Sequence, residues 1–201
     1  MTEIETPAPA PNDADEVKAG RIASHVRAIL TELDLDLDEP NLRDTDLRVA
    51  RLYLEMFQGL RQGAEPAVTT FPNDEHYRAM VMERRLPVYS LCAHHLVPFY
   101  GQAHIAYIPR DRIIGISKFA RILEFYAKRP QLQERLTEQV ADYLQEALRP
   151  LGVMVVIEAR HLCVEMRGVK KPGAETVTSA IRGVFHQKQV REEFLDLVRL
   201  D

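Results

Sequence analysis

The order of the regular elements in the second half of the chain constrains the fold more than any other feature. Two predicted strand pairs bracket a predicted helix pair, and antiparallel strands with short connections typically form one sheet. The strands are expected at about residues 80–89, 99–109, 152–167 and 176–184. The helices begin near Ser117 and near Leu132. This ββααββ order predicts an α+β domain with an antiparallel sheet and helices on one face.

The first third of the chain has a different organisation. Residues 1–15 are rich in proline, alanine and acidic residues, a composition typical of a flexible tail. Residues 16–65 show helical periodicity, with one helix from Val17 and another over about 46–58. The sheet-bearing domain is then expected over residues 66–201, closing with a short helix over about 190–200.

Composition narrows the choice of partners. The chain has 201 residues, of which 46% are hydrophobic and 28% charged, enough for one packed domain with a short extension. A formal net charge of −4 argues against nucleic acid as a partner. No apolar run is long enough to span a membrane, and the N-terminus lacks a secretion signal pattern. We therefore expect a cytoplasmic protein with no membrane contact.

The two cysteines carry the strongest chemical signal. Cys92 and Cys163 are compatible with two core residues, two metal ligands or a disulfide, the last being uncommon in a reducing cytosol. Each has histidine close by, in Cys92-Ala93-His94-His95 and in His161-Leu162-Cys163, and this favours the metal. Cys92, His95 and Cys163 would leave one position of a zinc ion open, the catalytic arrangement.

The segment that follows the second cysteine adds to this picture. If residues 161–167 are extended, His161, Cys163, Glu165 and Arg167 point to one face. His94 and His161 would then lie beside the metal without binding it, with pKa values suited to proton transfer.

Several basic residues form a second pattern. Helix starts favour phosphate, and one predicted helix begins with Ser117 and Lys118, followed by Arg121. Further positive charge comes from Arg48, Arg51, Arg167, Lys170 and Lys171. Taken alone, each group is more often a solvated surface than a binding site. Glu134 is either an ordinary first-turn acid or an acceptor for paired N–H donors of a ligand.

These segments together resemble the GTP cyclohydrolase I family. The matching stretches, in the family's order, are S-L-C-A-H-H-L-V-P-F-Y-G, A-Y-I-P, G-I-S-K-F-A-R-I, Q-L-Q-E-R-L-T, H-L-C-V-E-M-R-G-V and T-V-T-S-A-I-R-G-V-F. R-V-A-R-L-Y extends the match into the N-terminal helical region. The resemblance implies a zinc-dependent hydrolase that converts GTP and water to 7,8-dihydroneopterin triphosphate and formate.

The resemblance also implies residue roles. Zinc is held by Cys92, His95 and Cys163, and the acid–base pair is His94 and His161. Glu134 anchors guanine with Gln133 beside it. Ribose and triphosphate are held by Ser117, Lys118, Arg121 and Arg167, while Arg48 and Arg51 reach a neighbouring subunit's site. The implied architecture is a tunnelling fold in a homodecamer with sites at subunit interfaces.

Two positions depart from the family pattern. Ala93 stands where the family usually has glutamate, and Asp46 stands where it usually has proline. Asp46 is a suitable helix N-cap, so that change is expected to be benign. Ala93 supports an alternative, a catalytically silent GTP-binding or regulatory paralogue of the same fold.

Overall fold

The structure, a computed structural model, describes residues 13–200. This part of the chain belongs to two compact units that divide between Met56 and Phe57. None of the described helices is long and apolar enough to cross a membrane.

The first unit contains two helices, α1 (Asp13–Glu32) and α2 (Thr45–Met56). They pack through small side chains, since Ala19, Ala23 and Ala50 are all buried between them. The predicted flexible tail lies outside the described residues except for Asp13–Asp15, which form the first turn of α1. The acidic side chains of Asp13 and Asp15 suit the N-terminal end of a helix dipole.

The second unit contains the predicted strands and helices together with shorter elements. The strands are β1 (Thr70–Pro72), β2 (Val81–Cys92), β3 (Pro98–Ile108), β4 (Arg112–Ile114), β5 (Pro130–Gln131), β6 (Gly152–His161) and β7 (Glu175–Gly183). The helices are α3 (Ser117–Ala127), α4 (Gln133–Leu148), α5 (Leu162–Glu165) and α6 (Lys188–Arg199).

The four long strands form one sheet, which confirms the α+β class. The strand order is β5-β2-β3-β6-β7, and all neighbours are antiparallel except the short β2–β5 pair. The sequence did not predict β5, nor the separate two-stranded sheet of β1 and β4. In the central pair, Phe99 of β3 lies opposite His161 of β6, so the register brings both to the same end of the sheet.

Helices cover both faces of this sheet. The central helices α3 and α4 bury residues such as Phe119, Leu136 and Leu144 against one face, as predicted. The C-terminal helix α6 packs instead against the opposite face, where Phe194 joins Met154 and Val156 of β6. The expectation of helices on one face therefore does not hold for α6. The reason is that successive side chains of β6 point to opposite faces of the sheet and are apolar on both. The second apolar face is therefore also buried, by α6.

Candidate metal centre and active site

The first two candidate ligands come from the turn that joins β2 to β3. The carbonyl oxygen of Cys92 accepts hydrogen bonds from the backbone N–H groups of His95, at 3.3 Å, and Leu96, at 2.8 Å. Leu96 closes the turn with a left-handed backbone, φ 51°. This tight turn brings His95 back over the strand end, and its Nδ1 lies 3.9 Å from the Sγ of Cys92.

The third candidate ligand lies on a helical turn, which corrects an expectation from the sequence. Residues 162–165 form α5 directly after β6, so the segment after His161 is not extended. An ion pair stabilises the turn, with the Arg160 guanidinium donating to both carboxylate oxygens of Glu165 at 2.7 and 2.5 Å. The side chains of His161, Cys163, Glu165 and Arg167 therefore do not share one face of a strand.

The three candidate ligands converge despite that difference. The donor atoms of Cys92, His95 and Cys163 all lie within 4.8 Å of one another. A tetrahedral zinc ion with bonds of about 2.3 Å to sulfur holds two sulfur ligands about 3.8 Å apart, a separation inside this bound. Within residues 13–200, no further His, Cys, Asp or Glu joins this cluster. The donor set therefore fits a zinc ion with one open position.

Burial and charge set the thiol chemistry of the cluster. Cys92 is buried, Cys163 is half-buried and His95 is exposed. Burial, with the adjacent Cys92 thiol, raises the pKa of Cys163, while the positive charge of Arg167 opposes that rise. A bound cation would reverse this effect, because thiolate is the form that binds metal.

The two remaining histidines of the motifs lie beside the cluster in different environments. His94 is exposed, and its ring centroid lies 6.1 Å from that of His95. His161 is half-buried and stacks on Phe99 with centroids 4.7 Å apart and planes 9° from parallel. Burial lowers the pKa of His161, and the negative charge of Glu134 opposes that shift.

The start of α4 adds two polar side chains to this region. Gln133 is buried, with 1% of its surface exposed, and its Oε1 lies 2.7 Å from Nε2 of His161. Glu134, the next residue, is exposed, and its charge acts on His161. Glu134 is therefore accessible to a ligand from solvent, whereas Gln133 is not.

The structure relates only part of the predicted basic set to the cluster. Arg167 is exposed and close enough to Cys163 to affect its pKa. Ser117, Lys118 and Arg121 lie on the first turns of α3, and among the described residues their side chains form no hydrogen bond or ion pair with the cluster. In the first unit, Arg48 and Arg51 make local contacts, to Thr45 Oγ1 at 2.6 Å and to Glu16 at 3.3 Å respectively.

Comparison with known proteins decides the family. The family model described as GTP cyclohydrolase I matches residues 22–199. The chain belongs to the GTP cyclohydrolase I family. Membership makes it an enzyme of that class and confirms the resemblance drawn from the motifs.

Curated members of the GTP cyclohydrolase I family match over most of their length. GTP cyclohydrolase 1 of Thermoanaerobacter pseudethanolicus is 51% identical over 89% of this chain and 95% of its own. The proteins of the same name from Carboxydothermus hydrogenoformans and Thermobifida fusca are 54% and 52% identical, covering 82% and 89% of this chain and 86% and 87% of theirs. An archaeosine synthase QueF-Like crystal structure in the apo form aligns with a TM-score of 0.42 and 22% identity, over 52% of this chain and 93% of that chain. A likeness at that level carries no argument.

Three features of the site were not found from the sequence of this GTP cyclohydrolase I family member. They are the Phe99 ring under His161, the Arg160–Glu165 ion pair and the hydrogen bonds of Gln133 to β6 and β7. The first and last depend on strand register and helix placement, for which the sequence held no signal. The ion pair joins residues five apart, a spacing that suggests contact only once the helical turn is known.

Proposed function

We propose that this chain is a zinc-dependent hydrolase that converts GTP and water to 7,8-dihydroneopterin triphosphate and formate, the first step of pterin and folate-type biosynthesis. The observation that carries the proposal is the convergence of Cys92, His95 and Cys163 within 4.8 Å. Family membership supports GTP as the substrate, since the relatives carry that substrate in their names.

The ligand set suits a hydrolytic metal. Two thiolates and one imidazole leave a position for water, whereas structural zinc sites usually have four protein ligands. When bound, zinc lowers the pKa of water and makes water a nucleophile near neutral pH. The exposure of His95 keeps that side of the cluster accessible to a substrate.

Acid–base chemistry is assigned to the two unligated histidines. His94 is exposed beside His95 and would donate a proton to N7 of the purine while C8 is hydrated. His161 is held on Phe99 and would assist opening of the ribose ring before rearrangement and ring closure. Imidazole is the side chain whose reference pKa lies closest to neutrality, which suits proton transfer at neutral pH.

Recognition of GTP is assigned to residues around the start of α4 and α3. Exposed Glu134 would accept the N1 and 2-amino protons of guanine. The ribose and triphosphate would bind Ser117, Lys118, Arg121 and Arg167. The lysine and the two arginines supply local positive charge in a chain of net charge −4. The resemblance also assigns Gln133 to the substrate, but its amide is hydrogen-bonded to protein groups at both ends.

The proposed assembly follows the family resemblance. We place the second unit in the tunnelling fold and expect a homodecamer with sites at subunit interfaces. Arg48 and Arg51 would then serve the site of a neighbouring copy. The exposure of the Arg51 side chain, 58%, is compatible with that use.

The direct test measures two products from one reaction. GTP is incubated with the chelated protein and with the same protein after zinc is restored, and formate is measured together with neopterin fluorescence after oxidation and dephosphorylation. We expect equal amounts of both products, lost on chelation and recovered with zinc. Ring opening without release of formate would show that the protein catalyses only the first hydration.

The same experiment distinguishes an active enzyme from a catalytically silent paralogue. GTP binding without any product, at confirmed zinc occupancy, would contradict the proposed function and favour a regulatory protein in which Ala93 marks the loss of turnover. Turnover at confirmed zinc occupancy would make Ala93 a tolerated substitution.

A further inference from the structure

The amide of Gln133 is buried and lies against the imidazole of His161. We propose that Gln133 is a positioning residue that holds neutral His161 as the Nε2–H tautomer and leaves Nδ1 as the basic nitrogen. The tautomer follows from the hydrogen bonds alone, whereas its catalytic consequence rests on the proposed function. In this role Gln133 acts on the histidine and not on the substrate.

The orientation of the amide is fixed by its nitrogen. Nε2 of Gln133 lies 2.9 Å from the carbonyl oxygen of Ile157 and 2.9 Å from that of Thr176. Both partners can only accept hydrogen bonds, so the amide must present its NH2 group to them. The reversed amide would place oxygen against two carbonyl oxygens and leave buried acceptors unpaired, which is costly.

Two threonine hydroxyls fix the same direction independently. Oγ1 of Thr137 lies 2.7 Å from the backbone carbonyl oxygen of Gln133 and 2.6 Å from Oγ1 of Thr178. Thr137 donates its single hydroxyl proton to this backbone carbonyl, so Thr178 donates to Thr137. The oxygen of Thr178 then accepts from Nε2 of Gln133, 3.1 Å away, and shares one of the two NH2 hydrogens with a backbone carbonyl. The hydrogen bonds run in one direction around a closed ring.

The remaining end of the amide faces the imidazole. Oε1 of Gln133 lies 2.7 Å from Nε2 of His161, and an amide oxygen can only accept. Nε2 must therefore carry hydrogen, and in a neutral imidazole the lone pair is then on Nδ1. Stacking on Phe99 holds the ring plane, so the tautomer and the ring orientation are set together.

The same contacts argue against substrate binding by Gln133. Its side chain is 1% exposed, and both ends of the amide are occupied by protein groups. A ligand could reach the amide only by breaking the hydrogen bond to His161. Exposed Glu134 is the residue at this helix start that remains available to a substrate.

The tautomer can be observed directly by nitrogen NMR of the full-length protein labelled with 15N-histidine. Spectra are recorded at a pH where imidazoles are neutral, and the His161 signals are assigned by their absence in His161→Gln. We expect a protonated Nε2 and an unprotonated Nδ1 in the parent protein. A protonated Nδ1 in the parent would overturn the proposal, and this result needs no variant of Gln133 to fold.

Variants of the amide then test the cause. Gln133→Met removes donor and acceptor and should shift the His161 signals towards a mixture of tautomers. Gln133→Glu keeps an acceptor and should keep Nε2 protonated. Gln139→Met, the same change on the same helix, should leave the His161 spectrum unchanged. An unaltered tautomer in folded Gln133→Met would show that the amide does not set it.

Kinetics distinguish positioning from substrate contact. Gln133→Met should lower kcat for GTP about 10- to 100-fold, because a mis-set acid–base group loses much of its effect, while KM stays within about twofold. In a His161→Ala background the same change should have no further effect. An increase in KM in both backgrounds would instead make Gln133 a substrate contact. If the parent does not turn over GTP, the proposed function fails while the parent spectrum still decides the tautomer.

Discussion

His104 on β3 is buried in the sheet without a hydrogen bond to either ring nitrogen among the described residues. Its surface is 1% exposed, and its nearest charged partner is the Glu158 carboxylate, 3.7 Å from Nε2. Burial lowers the pKa of His104; Glu158 opposes this shift, and the positive charges of Arg84 and Arg85 reinforce it. The folded protein therefore favours the neutral imidazole.

That environment predicts a pH dependence of stability. A pKa lowered by folding means that the unfolded chain binds more protons, so the free energy of unfolding rises with pH. The contribution of His104 is complete above the unfolded-state pKa of about 6.5 and is lost as the pH falls towards the folded-state pKa. Denaturant unfolding at pH 7.5 and 5.5 should show a smaller difference for His104→Leu than for the parent.

An exposed histidine provides the control for this comparison. His25 lies on the surface of α1, so His25→Gln should preserve the pH dependence of the parent. Equal pH dependence in the parent and His104→Leu would contradict the assignment of a buried neutral imidazole.

Among single residues, chemistry was easier to predict than surroundings. The cluster of Cys92, His95 and Cys163 followed from residue types, short spacings and family motifs, and the structure brings their donor atoms together. The partners of His161 could not be predicted, because Phe99 and Gln133 approach it through strand register and helix placement. The sequence contains no local trace of either contact.

At the scale of elements, the short helix α5 depends on contacts outside itself. Four residues are too few for a stable helix. The ion pair joins Glu165, the last residue of α5, to Arg160 near the end of β6. Extended structure was therefore expected from the sequence, where only the apolar β run before it was visible. The turn matters because it carries Cys163.

The ion pair thus predicts an effect on metal binding without loss of a ligand. Glu165→Gln should weaken zinc affinity about tenfold, a usual size for groups that orient ligands, because Cys163 loses its fixed position. Zinc affinity is measured by competition with a chromophoric chelator. Glu138→Gln, which disturbs the exposed ion pair to Arg182, serves as the control and should not change affinity. If Glu165→Gln binds zinc as tightly as Glu138→Gln, the Arg160–Glu165 ion pair does not position Cys163.

The β3–β6 pairing contains a position that only glycine tolerates. A Cβ atom on Gly101 would lie 1.9 Å from the backbone oxygen of Glu158, far inside contact distance. Gly101→Ala should therefore destabilise the second unit by more than about 2 kcal/mol, measured by denaturant unfolding. Gly20→Ala, where nothing lies within 4 Å in helix α1, should be neutral or stabilising. Equal stability of the two variants would contradict the close approach of these strands.

At the scale of the whole molecule, the family match extends from residue 22 to residue 199 and so includes both compact units. The fold class was predictable because long strands and helices have strong periodicity. The position of α6 was not, since a strand buried on both faces does not say which face a later helix covers. The net charge of −4 leaves recognition of a triphosphate to local groups of Arg and Lys.

Cys92, His95 and Cys163 are expected to form an open metal site. Zinc-edge X-ray absorption of the full-length protein at one zinc per chain measures its ligands. We predict two sulfur ligands, one imidazole nitrogen and one light atom from solvent, with the imidazole contribution lost in His95→Gln. A site with four protein ligands, or one without sulfur, would rule out this open ligand set.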